Sequence, residues 1–111
     1  MKLRFPPRIE VEISSRNFWV KVVEFLQQNW AIIVPDDETG VTVHFVDDVS
    51  GVFDRLSFPS LKTAEAALRR NGFDRYSEKP ELQSFLRPPA PPFHEAEHPS
   101  GSIYSSGRFW R

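Results

Sequence analysis

Six of the ten prolines stand between Pro80 and Pro99, in the stretch PELQSFLRPPAPPFHEAEHP, and no other feature limits the fold as strongly. Each proline removes a backbone donor and fixes φ. So dense a run admits about one helical turn, around Glu81 to Leu86, before polyproline geometry takes over. Regular structure is therefore expected ahead of it, as a compact domain over residues 1–78. Residues 79–111 would then form a proline- and aromatic-containing arm, either packed on that domain or used as a docking segment. A chain of 111 residues has room for one core.

Within the expected domain, RIEVEI alternates, placing Ile9, Val11 and Ile13 on one face of an opening strand. Ser14 or Ser15 can cap a helix whose stripe is Phe18, Val22, Phe25, Leu26 and Asn29, widened by Trp19 and Val23. AIIVP is short, β-branched and stopped by Pro35. The turn DDETG joins it to VTVHFV as a hairpin of Ala31–Val34 with Val41–Val46, and VFDRLSF gives a third meander strand. In SFPSLKTAEAALRRNGF, Ser60 caps a second helix with Leu61, Ala64, Ala67 and Leu68 on one stripe. It stops at Asn71-Gly72, where a Schellman motif would bring Phe73 against Leu68. These elements predict an α+β fold with an antiparallel or mixed sheet of four to five strands, in the order β-α-β-β-β-α-β. Two helices would lie on one face, followed by the proline-rich arm.

HEAEH, residues 94–98, spells H-E-x-x-H. A zinc hydrolase needs that pattern on a helix, because the helical period aims both imidazoles at one metal and leaves the glutamate to activate water. Here Pro92 and Pro99 bracket too few residues for a stable helix, and Pro99 biases His98 away from helical dihedrals. The only other histidine is His44, on an expected strand. Metal binding by His94, Glu95, Glu97 and His98 is thus an alternative to a plain polar segment, and no cofactor is implied. His44 itself reads as a hydrogen-bonded or solvent-facing strand residue.

Other chemistry is thinly represented. There is no cysteine, hence no disulfide or thiolate site. The five glycines are scattered, so no phosphate loop exists, and no serine stands in G-x-S-x-G. Asp36, Asp37, Glu38, Asp47 and Asp48 lack calcium-loop spacing and suit turns, where a carboxylate accepts local N–H groups.

Two segments suggest contact with macromolecules. Arg69, Arg70, Arg75 and Lys79 with Phe73 and Tyr76 resemble in composition a single-stranded nucleic-acid surface. The arginines equally complement a helix C-terminus, and a net charge of −1 supplies no bulk attraction for a polyanion. RPPAPP holds P-x-x-P twice, in Pro88/Pro91 and Pro89/Pro92, and the terminal Tyr104, Phe109 and Trp110 are more aromatic than a disordered tail requires. The reading is a small non-catalytic module that binds an unidentified protein through its sheet face or C-terminal arm. Zinc chemistry at HEAEH and weak nucleic-acid binding are the alternatives. Without an apolar leader or a membrane-length run, a cytoplasmic setting is expected.

Overall fold

The computed structural model describes residues 9–24, 27–36, 40–47 and 49–96, with the backbone alone at 23, 24 and 27. Its centre is the meander that alternation foretells. Strand β3 (Gln27–Pro35) pairs antiparallel with β4 (Val41–Val46), from Trp30↔Val46 to Pro35↔Val41. Strand β4 pairs in turn with β5 (Gly51–Phe58), in a register that slips between Phe45 and Val46. Asp47 shapes the β4–β5 connection. Its buried carboxylate accepts the N–H groups of Val49 and Gly51 at 3.0 and 2.8 Å, while Ser50 takes a positive φ of 67°. Gly51 is obligatory there, since a Cβ would lie 2.6 Å from Asp47 Oδ2 and 2.7 Å from Ala96 Cβ.

The first expected helix is absent. Phe18–Glu24 is strand β2, antiparallel to β3 with the register Phe18↔Ile32 to Glu24↔Gln27. The physical reason lies in composition. The stretch is so rich in apolar residues that periods of 3.6 and 2 both fit, and Phe18, Trp19, Val20, Val22 and Val23 are aromatic or β-branched. Such side chains lose rotamer freedom in a helix and pack well on a pleated surface. Strand alternation sends Trp19 and Val20 to opposite faces, and both are buried.

Three short strands complete the sheet: β1 (Glu10–Val11), β6 (Asp74–Arg75) and β7 (Phe93–Glu95). The result is a seven-stranded mixed sheet in the order β1-β7-β5-β4-β3-β2-β6, rather than one of four or five strands. Among the described residues only the β5–β7 pairing is parallel; β7 also pairs antiparallel with β1. The opening strand is shorter than RIEVEI suggested. Val11 remains at the core margin and Ile13 is buried, but Ile9 is 68% exposed.

Both faces of the sheet are covered, which corrects the expectation of two helices on one face. Helix α1 (Leu61–Arg70) places Ala64 and Leu68 against Trp19, Ala31, Ile33, Val43 and Phe45. Its ends follow the sequence grammar. Ser60 Oγ accepts the Thr63 N–H at 3.1 Å, and Thr63 Oγ1 accepts the Ser60 N–H at 3.2 Å. At the other end, Phe73 N–H reaches Leu68 O at 2.9 Å and Gly72 N–H reaches Arg69 O at 3.1 Å, the Schellman pair, with Gly72 at φ 90°.

The opposite face carries Val20, Trp30, Ile32, Val46 and Val52, and residues 76–93 fold over it. A 3₁₀ turn (Tyr76–Glu78) leads into the short helix α2 (Pro80–Gln83). Tyr76 packs edge-on against Trp30 with ring centres 5.4 Å apart, and its hydroxyl donates to Leu86 O at 2.5 Å. Leu86 and Phe93 are buried in the same cluster, and Ser50 Oγ fixes Ala90 O at 2.5 Å. Leu86 and Phe93, within the expected arm, therefore belong to the core; residues 97–111 lie outside the described residues.

Truncating Phe93, 3% exposed, to alanine is expected to lower unfolding free energy by about 3–5 kcal/mol. Phe85→Ala, at a site 67% exposed, should stay within about 0.5 kcal/mol of the parent. Urea unfolding of the two variants measures the contrast.

Candidate functional site

HEAEH starts in a strand. Because β7 alternates, Phe93 and Glu95 face the Trp30 side of the sheet and His94 faces the other, so the opening of the motif lacks the helical geometry of a zinc hydrolase. Glu97 and His98 lie outside the described residues. Among the described residues, no group of three or more histidine, aspartate or glutamate side chains converges on a point where a metal could sit.

Glu95 instead meets Arg55 of β5, forty residues earlier, in a two-pronged contact. Arg55 Nη1 donates to Oε2 at 3.3 Å and Nη2 donates to Oε1. His44 stands directly across β4–β5 from Arg55, and its Nδ1 is buried without a hydrogen-bond partner among the described residues. Burial and the neighbouring guanidinium hold the His44 pKa below its ordinary value, against the opposing pull of Glu95 and Asp36. The hydrogen bond from Arg55 holds the Glu95 carboxyl below the usual carboxylate range. Beyond His44, Thr42 Oγ1 donates to Asp36 Oδ1 at 2.7 Å. The chemistry of this group is a charge clamp between β5 and β7 beside a neutral imidazole. Arg55 escaped the sequence reading because its role depends on β7 arriving next to β5.

The second feature is a groove of about 360 Å³ at the β1 end of the sheet. It is lined by Glu10, Val11, Glu12, Ile13 and Ser14 together with Pro91, Pro92 and Phe93. β1 is the last strand of the sheet and pairs only with β7, so its outer edge has no strand partner among the described residues. Of the two P-x-x-P pairs, Pro91 and Pro92 are exposed at this groove, whereas Pro88 is half-buried and Pro89 buried. Sequence reasoning singled out these prolines but missed Glu10 and Glu12. Their signal was the wet side of RIEVEI.

The basic-aromatic group occupies a third location. Phe73 is 2% exposed within the α1 core, and Tyr76 is engaged by Trp30 and Leu86. Arg69 lies over the Trp19 ring at 4.9 Å and pairs with Glu78 at 3.1 Å. Arg75 faces Glu65 and Glu78 at 3.7 and 3.8 Å, and Lys79 faces Asp74 at 3.9 Å. Arg70 is exposed at the end of α1. Tyr104, Phe109 and Trp110 lie outside the described residues.

No family model, curated protein or solved structure matches the chain. Among the described residues, no helix is long and apolar enough to cross a membrane.

The depressed pKa values set the acid response. The folded protein resists protonating His44, whereas the unfolded chain accepts a proton near the ordinary value of 6.5, so stability is lost as pH falls through that value. The Glu95 contribution is present above its ordinary value of 4.5 and is lost only as pH falls through the lower folded pKa. Urea midpoints should therefore drop between about pH 7.5 and about pH 5.5. His44→Gln should shrink that drop; an unchanged drop would mean that another group controls the limb.

Proposed function

We propose that this protein is a small non-catalytic interaction module that receives an extended segment of another protein along the outer edge of β1. The observation that carries the reading is the outer edge of β1, which has no strand partner among the described residues. Edge strands offer a row of main-chain donors and acceptors, and proteins commonly recognise extended segments by adding them to such an edge. Ile9, 68% exposed beside β1, adds apolar surface where a partner would lie.

Incorporating a photo-crosslinking amino acid at Glu12, with Lys62 on exposed α1 as the control position, tests the reading. A discrete protein adduct formed from position 12 and absent from position 62 is the expected result. Identical adducts from both positions, or none from position 12, would refute it.

A further inference from the structure

The chemistry around β1 specifies what kind of segment fits, on the premise of the interaction reading above. Along β1 and the residues that follow it, Glu10 and Glu12 alternate with Val11 and Ile13. Val11 and Ile13 belong to the Trp30-side cluster, so the two glutamates take the other side. Both glutamates are exposed, and neither has a Lys or Arg within ion-pair distance among the described residues. Among the described residues, no Lys or Arg lines the groove. The titratable neighbour in register is His94, opposite Glu10.

A strand added beside β1 would have the same alternation. Its side chains on the glutamate side would sit within cross-strand distance of Glu10 and Glu12, where opposite charge is favoured and like charge opposed. Its side chains on the other side would lie over Val11 and the rim of Ile13, where apolar, β-branched groups pack best. We infer that the outer edge of β1 takes an extended cationic segment of a partner protein, in which Lys or Arg alternates with apolar residues. The two requirements act together. Charge alone would attract any basic chain, and only alternation satisfies both sides of the edge at once.

Three blocked hexapeptides test this by amide chemical-shift titration of the full chain: SRVKVS, SQVQVS and SEVEVS. With SRVKVS, shifts are expected at residues 10–14 and 93, at least about tenfold tighter than with SEVEVS at low salt. The gap should narrow toward about 0.5 M salt, where charges are screened over a few ångströms. The double variant Glu10→Gln, Glu12→Gln, altered only at exposed positions, should bind SRVKVS and SQVQVS alike. Equal binding of all three peptides at these amides would overturn the cationic preference while leaving the interaction reading intact. Absence of shifts with every peptide would also overturn it, and the crosslinking result then decides the broader reading separately. Shifts produced at residues 10–14 by raising protein concentration alone would mean that a second copy of this chain is the occupant, and would likewise overturn it.

Discussion

Three backbone hydrogen bonds hold one end of this molecule together. His94 N–H donates to Ser50 O at 3.1 Å, Glu95 N–H to Ile9 O at 2.8 Å, and Ala96 N–H to Val52 O at 3.0 Å. Through them β7 lies between β1 and β5. Remove β7 and β1 loses its strand partner, Phe93 leaves the core, and Arg55 loses the carboxylate that occupies its guanidinium. The groove beside β1 is a consequence of the same insertion, since it is lined by the segments that β7 brings together. Gly51 shows how close that approach is, because neither Asp47 nor Ala96 leaves room for a Cβ.

The rest of the fold rests on a sheet with two apolar faces. Trp19 and Trp30 lie on opposite faces of neighbouring strands, each fully buried, so neither face can be left to water. One face is closed by α1, whose small alanines allow close approach. The other is closed by residues 76–93, where regular helix is scarce and prolines abound. That segment satisfies its backbone through side chains: Gln83 Nε2 donates to Tyr76 O at 2.8 Å, and Tyr76 itself donates to Leu86 O. A proline-rich run therefore serves as a fitted cover, its rigidity lowering the entropy lost on folding.

What could be read from the sequence was what local chemistry decides. VTVHFV alternates cleanly and became β4. Ser60, Thr63, Asn71 and Gly72 punctuate α1 with side chains and dihedrals that act within a few residues. The Phe18–Asn29 stretch is ambiguous by local pattern because five of the seven residues Phe18–Glu24 are aromatic or β-branched, and pairing with β3 decides between helix and strand. The partner strand is a tertiary fact that the local pattern does not contain. β7 was illegible for a stronger reason. FHE is three residues long, follows two prolines, and gains its strand identity only from contacts with residues near 9 and 51. The same distance hid Arg55 from view and left His44 as an isolated histidine, while the groove combines two segments some eighty residues apart whose juxtaposition no motif announces.

Native-state hydrogen exchange at the amides of His94, Glu95 and Ala96 tests the central claim most directly, with β4 amides as the internal standard. If β7 is an integral strand, these three amides exchange slowly, with protection approaching that of β4, since opening them requires breaking the β1–β7–β5 arrangement. Exchange at the rate of an unstructured peptide while β4 stays protected would contradict the account. The groove, the charge clamp and the proposed interaction edge would then lose their common foundation.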